Sequence, residues 1–168
     1  LFILFTGLLV AIIYVLMITP TGQYQSKGGQ SFPAFELSLI PEGSFSSADL
    51  EGHITILNFF ATWCGPCRAE MPELVRFAEA RGDENIRLIG VSAGYDEVGE
   101  LLPFLEGFGV NYPIAFGGEG LLKDLNLTGL PTTVIIGPDG KVFVAFEGAI
   151  TGGQLEAALE RLQSTLDL

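Results

Sequence analysis

Both cysteines of the chain lie within residues 61–72, which read ATWCGPCRAEMP and place two residues between Cys64 and Cys67. A Cys-x-x-Cys pair can cycle between dithiol and disulfide, bind a metal, or form a structural cross-link. A structural zinc site needs four ligands, and these cysteines with the single histidine, His53, supply three, so no metal is expected. A structural disulfide across so short a loop would yield little entropic stabilisation. The spacing therefore favours redox catalysis.

Cys64 follows a strand-like run and precedes a helix-like one. Residues 54–61 form a continuous apolar run of β-forming types, typical of a strand covered on both faces. Residues 65–80 carry apolar side chains at helical spacing. A side chain at this junction faces the unpaired N–H groups and the positive dipole end of the helix, which favour a thiolate. We therefore expect Cys64 to be the nucleophile.

The residues next to Cys64 suit this role. Pro66 fits a first helical turn, where no backbone N–H is required, and Gly65 leaves the approach to the sulfur open. Cys67, one turn further, is expected to be more buried and to resolve the mixed disulfide formed by Cys64. Trp63 is expected to form a flat apolar wall beside the reactive sulfur, with packing in the core as the alternative. Trp63, Gly65 and Pro66 are thus predicted to contact the substrate.

The elements that position these residues alternate along the chain. The patterns predict strands at 54–61, 86–93 and 112–116, helices at 65–80, 96–109, 119–126 and 151–166, and a hairpin over 132–148 with its turn at 138–140. This order predicts an α/β sandwich whose sheet is parallel in the middle and antiparallel at one edge.

The amino-terminal residues differ from the rest in composition. Residues 1–18 carry no charge and would span roughly 27 Å as a helix at ~1.5 Å per residue, close to the hydrocarbon thickness of a bilayer. A cleaved signal peptide is the alternative, but its apolar run is usually shorter and ends in a small-x-small site. We predict a transmembrane anchor at 1–18, a flexible Gly/Ser/Gln/Thr-rich linker at 19–31 and a folded domain at 32–168.

The net charge of −12 with a pI near 4.3 narrows the range of partners. Phosphate binding needs a basic face, so a nucleic-acid partner is excluded. The same charge disfavours adhesion to anionic lipid head groups. The simplest interpretation is a solvated acidic surface.

The motif WCGPC after an apolar strand resembles the thioredoxin superfamily. Pro72 resembles the proline that kinks the active-site helix of that family. Pro131, in TGLPTT, resembles its cis-proline, which leaves the backbone of the preceding residue, here Leu130, free to pair with an extended substrate. An ordinary trans proline in a turn is the alternative.

Finer features resemble the membrane-anchored TlpA/ResA-like branch of this superfamily. Residues 32–74 resemble its opening hairpin, its central strand and its Cys-x-x-Cys-Arg-x-Glu-x-Pro helix start, and residues 95–116 resemble its helix–strand insertion. The resemblance implies a thioredoxin-like sandwich with a central mixed sheet, an N-terminal β-hairpin and that insertion, preceded by one transmembrane helix.

One position departs from ordinary thioredoxins. Six residues before the first cysteine, where those proteins carry a buried aspartate, this chain has Asn58, which cannot titrate. The branch resemblance assigns an active-site role to Glu70, and we hypothesise that it accepts and returns the proton of Cys67. A solvated carboxylate in the first helical turn is the alternative. For a second acidic residue of the branch, Asp96 and Glu97 are the candidates.

The resemblance implies a thiol-disulfide oxidoreductase without a cofactor. We expect a single-pass protein of a bacterial cell membrane whose catalytic domain lies on the extracytoplasmic, periplasmic side and receives electrons from a membrane thiol donor. Its clients would be disulfide-containing proteins, with apocytochrome c among the candidates. Three alternatives stay open: an oxidant, a non-catalytic accessory subunit of a membrane complex, and a peroxide-reducing peroxiredoxin, although the Thr/Cys motif of the last is absent.

Overall fold

The computed structural model describes the backbone of residues 23–25 and the whole of residues 29–81 and 85–166. The predicted anchor, residues 1–18, lies outside these ranges. Within them, no helix combines the length and the apolar character needed to cross a bilayer.

Strands and helices occur in the predicted order. The strands are β1 (Gln23–Gln25), β2 (Glu36–Ile40), β3 (Ser44–Ser46), β4 (Ile54–Phe60), β5 (Ile86–Ser92), β6 (Ile114–Phe116), β7 (Thr132–Ile136) and β8 (Val142–Glu147). The helices are α1 (Gly65–Ala80), α2 (Val98–Phe108), α3 (Glu119–Asp124) and α4 (Gly152–Leu166), with a 3-10 helix at Ser47–Leu50. The hairpin turn at 138–140 and the N-terminal hairpin β2–β3 are confirmed.

The strands form one mixed sheet in the order β1-β8-β7-β4-β5-β6-β2-β3. β4 pairs in parallel with β5, and β5 with β6. The remaining pairs are antiparallel. The predicted parallel middle and antiparallel edge are therefore confirmed. The prediction missed a second antiparallel edge, which forms because the β2–β3 hairpin adds to β6.

The linker prediction for residues 19–31 is wrong where the structure describes it. β1 pairs antiparallel with β8, and Gly29 N–H donates to the Val142 carbonyl at 3.0 Å. Val142 N–H donates to the Gln30 carbonyl at 2.9 Å. These bonds satisfy backbone groups that β8 would otherwise expose at an edge. The polar composition of this stretch hid the pairing, because no alternation of apolar and polar residues marks it.

The core lies on both faces of β4, all seven residues of which are buried. On one face, apolar side chains of α1, α2 and α4 pack against the sheet. On the other, side chains of α3, the 3-10 helix and the β2–β3 region do so. The double cover explains why β4 is mostly apolar. It also holds the two ends of β4 rigidly, and the carboxyl end leads directly to the cysteines.

Candidate active site

Cys64 and Cys67 form a disulfide with their Cα atoms 5.3 Å apart. Cys64 is the N-cap residue of α1, and its Sγ accepts the backbone N–H of Cys67 at 3.2 Å. The predicted placement at a strand-to-helix junction is thus confirmed. Cys67 has no exposed surface, whereas Cys64 retains 5%. An external thiol or disulfide can therefore approach Cys64 but not Cys67.

The first turn of α1 leaves space in front of the disulfide. Gly65 and Pro66 are both exposed, and no neighbouring atom lies within 4 Å of the position that a Cβ of Gly65 would occupy. Pro66 sits in the first turn, where its missing N–H costs no hydrogen bond. Both residues therefore border the open approach to Cys64, and their contact with a substrate stays a prediction.

Trp63 projects outward beside the disulfide rather than into the core. It is 68% exposed, and its indole Nε1–H donates to the Gly94 carbonyl at 2.9 Å. The alternative of core packing is therefore wrong. Gly94 was not singled out by the sequence, yet a Cβ there would lie 2.1 Å from Ala61 Cβ and 3.1 Å from Trp63 Nε1. Only glycine lets this loop approach so closely.

Pro131 directly precedes β7, at the end of the sheet from which β4 leads to the cysteines. The Leu130–Pro131 bond is cis, as the resemblance implies. Thr132, the first residue of β7, pairs with Phe59 near the end of β4, which brings Pro131 next to the active-site loop. The Pro131 carbonyl accepts the N–H of Gly148 at 2.8 Å. The backbone N–H and carbonyl of Leu130 make no hydrogen bond to any residue in the described ranges, so both are available to a bound chain.

Glu70 is buried, with 2% of its surface exposed. Its Oε1 accepts from Asn58 Nδ2 at 2.8 Å, and its Oε2 accepts from the Ile150 N–H at 2.8 Å. Burial raises the pKa of Glu70 to about 7, although the hydrogen bonds from Asn58 and Ile150 oppose the increase. The alternative of a solvated carboxylate is therefore wrong.

Glu70 lies one helical turn from Cys67 on the buried face of α1, because residues three apart share a face. Tyr112, also buried, donates its hydroxyl to Met71 Sδ at 2.9 Å. Burial and the charge of Glu70 raise the pKa of Tyr112, so its phenol stays protonated at neutral pH. Of these two buried groups, Glu70 and not Tyr112 therefore has a pKa near neutrality.

Asp96 and Glu97 occupy different environments. Asp96 is buried, and its Oδ1 accepts from the Thr62 hydroxyl at 2.6 Å and from the Thr62 N–H at 3.1 Å. Its Oδ2 accepts from the Ser92 hydroxyl at 2.9 Å. Glu97 is exposed and precedes α2. Of the two candidates, only Asp96 contacts the active-site loop, two residues before Cys64.

The sequence analysis missed the contacts of Arg68. Its Nη1 donates to the Thr62 carbonyl at 3.2 Å. Its guanidinium carbon lies 5.3 Å from the ring centre of Phe104 and 5.4 Å from that of Phe108, both on α2. Arg68 therefore links α2 to the active-site loop. The arginine after Cys67 was visible in the motif, but its aromatic partners lie about forty residues away and only the fold reveals them.

The chain matches known proteins over most of its length. The family model described as "AhpC/TSA family" matches residues 28–145. The thiol-disulfide oxidoreductase ResA of Oceanobacillus iheyensis is 33% identical over 136 residues, which cover 78% of this chain and 70% of that protein. The ResA protein of Bacillus subtilis is 28% identical over 152 residues, which cover 87% of this chain and 84% of that protein.

A solved structure shares the fold. A thiol:disulfide interchange protein of the thioredoxin family from Chlorobium tepidum superposes with a TM-score of 0.67 at 25% identity, covering 82% of this chain and 98% of that one. In this chain the shared fold carries the Cys64–Cys67 disulfide at the start of α1. The chain therefore belongs to the AhpC/TSA family and is a thiol-disulfide oxidoreductase with a thioredoxin-like fold.

Proposed function

We propose that the chain is a membrane-anchored reductase of disulfides in extracytoplasmic proteins. The observation that carries the proposal is the asymmetry of the cysteine pair. Cys64 lies at the helix N-terminus, where its Sγ accepts the Cys67 N–H, and it is partly exposed to solvent. Cys67 is fully buried. Such an arrangement gives one attacking thiol and one resolving thiol.

The reaction has two thiol–disulfide exchanges. The Cys64 thiolate attacks one sulfur of the client disulfide, forming a mixed disulfide and releasing the other client sulfur as a thiolate, which takes up a proton. Cys67, deprotonated by Glu70, then attacks the Cys64 sulfur. This step releases the second client thiolate and forms the Cys64–Cys67 disulfide. Two electrons pass to the client, and a membrane dithiol donor restores the starting dithiol.

The client is held by backbone pairing beside Pro131. The unpaired N–H and carbonyl of Leu130 can bind an extended segment as an added strand. Exposed Trp63 supplies an apolar wall on which that segment packs. Backbone hydrogen bonds do not depend on the side chains of the bound segment, which suits a protein with several clients. Apocytochrome c, with its cysteines, is one such client.

The anchor and the location rest on the sequence. Residues 1–18 have the length and composition of a single-pass helix. Structural and catalytic disulfides persist in extracytoplasmic compartments, where a tethered reductase has substrates. We place the catalytic domain on the periplasmic side of a bacterial cell membrane. A standard potential near −120 mV, at the strongly oxidising end of the known range, would contradict the reductive direction.

The test of the proposed function is a trapping experiment with the full chain. In Cys67→Ser the second exchange cannot occur, so a mixed disulfide with the client is expected to persist on Cys64 and to be released by dithiothreitol. Mass spectrometry of the adduct identifies the client. The matched control, Cys64→Ser, should trap nothing, because Cys67 is buried. Equal trapping by both variants, or none by Cys67→Ser, would contradict the assigned roles.

A further inference from the structure

Four strands place the start of β1 in register with the active-site end of the sheet. Gln23 of β1 pairs with Glu147 of β8. Glu147 pairs with Thr132 of β7, and Thr132 pairs with Phe59 of β4. Neighbouring strands lie about 4.8 Å apart, so Gln23 is three spacings, about 14 Å, from β4 along this row.

This row borders the reacting groups. Phe59 is the residue before the last one of β4, whose end leads to Cys64. Thr132 directly follows Pro131, the proline of the cis peptide bond. Gln23, Thr132 and Phe59 lie at the same end of their strands. We call this end of the strands, as distinct from the lateral edges of the sheet, the active-site edge.

The strand directions show which end of β1 lies at this edge. β7 is antiparallel to β4, β8 is antiparallel to β7, and β1 is antiparallel to β8. β1 is therefore antiparallel to β4. Because β4 runs toward the active-site edge, β1 runs away from it, and its first residue, Gln23, marks where the chain enters the sheet.

Few residues separate this entry point from the predicted anchor. Residues 19–22, Thr-Pro-Thr-Gly, lie between residue 18 and Gln23. Four residues span at most about 14 Å even when fully extended. A bilayer anchor at 1–18 would therefore hold the active-site edge, and not the opposite end of the sheet, close to the membrane.

On the basis of the membrane anchoring and the membrane dithiol donor proposed above, we propose that the active-site edge faces the bilayer. The donor gives two electrons and two protons to the Cys64–Cys67 disulfide, and its own two thiols become a disulfide. The net charge of −12 opposes adhesion to anionic lipids, so the tether rather than the surface of the domain holds this orientation.

The single tryptophan is a native probe of this orientation. Trp63 lies beside Cys64 and is 68% exposed. The full chain is reconstituted in phosphatidylcholine vesicles with a dansyl-labelled headgroup lipid, and energy transfer from tryptophan is measured. The comparison variant combines Trp63→Phe with Asp139→Trp, which moves the probe to the exposed turn between β7 and β8. That turn lies beyond Ile136, about 14 Å from the row at ~3.4 Å per residue.

We expect several-fold more efficient transfer from Trp63 than from position 139. Equal transfer, or more transfer from position 139, would overturn the proposed orientation. Flotation of the vesicles is measured on the same samples. A chain that does not float contradicts membrane anchoring itself and with it the orientation, whereas a floating chain with equal transfer contradicts the orientation alone.

A spacer provides a second measurement on an unmutated active site. Four EAAAK repeats inserted between Gly22 and Gln23 form a semi-rigid spacer of about 30 Å where helical. The control carries the same repeats after Leu168. Reduction of the Cys64–Cys67 disulfide by vesicles bearing a dihydrolipoyl headgroup lipid should slow by on the order of tenfold with the spacer, because the effective concentration falls. Reduction by soluble dithiothreitol and the behaviour of the control should not change. Equal rates with the lipid dithiol would overturn the proposal.

Discussion

Glu70 remains able to change protonation near neutral pH although two hydrogen bonds stabilise its charged form. The Asn58 side chain donates a hydrogen bond to Oε1, and the Ile150 N–H donates one to Oε2. Removal from water disfavours the charge more strongly than these bonds favour it, so the pKa rises to about 7. This pKa, one helical turn from Cys67, is what the proposed exchange of a proton between Glu70 and Cys67 requires.

The raised pKa of Glu70 makes stability depend on pH. Between the ordinary glutamate pKa of 4.5 and the folded value of about 7, the folded chain binds more protons than the unfolded one. The free energy of unfolding therefore falls as pH rises through this window, by on the order of 3 kcal/mol in total. We expect Glu70→Gln to lose this fall, as measured by urea denaturation of the oxidised chain from pH 4.5 to 8.

Glu79→Gln is the matched control, because Glu79 is exposed on the same helix. Its pH dependence should follow that of the unmodified chain. If Glu70→Gln keeps the full pH dependence, burial does not control the protonation of Glu70.

Asp96 is expected to hold the active-site loop. In Asp96→Asn, one acceptor oxygen is replaced by an amide N–H₂ group that cannot accept from Thr62 or Ser92. Hydrogen bonds to charged groups contribute about 1.5–3 kcal/mol. We expect hydrogen exchange at the Thr62 amide to accelerate by at least tenfold and the rate of disulfide exchange to fall. Asp124→Asn, at an exposed position of α3, should change neither quantity. Unchanged exchange at Thr62 would show that Asp96 does not hold the loop.

At the scale of elements, the loop after β5 packs closely against the segment that joins β4 to α1. The Trp63 indole donates to Gly94, and Ala93 N–H donates to the Phe60 carbonyl at 3.0 Å. These contacts fix the end of β4 and with it the position of Cys64. The motif shows the cysteine spacing, but this support lies about thirty residues further along the chain.

Gly94→Ala should destabilise the domain by about 1–3 kcal/mol, because its Cβ would lie 2.1 Å from Ala61 Cβ. Gly107→Ala, in α2 with no atom within 4 Å of its Cβ position, should stabilise it by roughly 0.5–1 kcal/mol. Thermal denaturation compares the two variants. Equal shifts in melting temperature would show that the close approach at Gly94 has no structural importance.

At the scale of the whole molecule, basic residues and ion pairs offset only part of the repulsion among acidic groups. The chain has 20 acidic and 8 basic residues. The ion pairs Arg76–Glu73, Arg81–Glu156 and Lys141–Asp139 lie at the surface, where each contributes about 1 kcal/mol or less. The charge balance therefore opposes the compact state.

Added salt should raise the melting temperature at pH 7. The Debye length falls from about 30 Å at 0.01 M to about 10 Å at 0.1 M, so repulsion is screened more than the close ion pairs are. We expect an increase of a few degrees over this range in sodium chloride, and the same increase in potassium chloride. A decrease would show that the ion pairs outweigh the net charge.

The sequence by itself determined the reacting pair, the strand-to-helix junction at Cys64 and the order of the elements. These features depend on neighbours along the chain: spacing, apolar periodicity and helix-start residues. The tertiary structure alone decided the hydrogen bond from Ile150 to the buried Glu70, the contacts of Asp96 with Thr62, and the pairing of β1 with β8. Each of these depends on groups tens of residues or more apart. Local patterns do not record such contacts, because desolvation and edge pairing arise only when distant segments pack together.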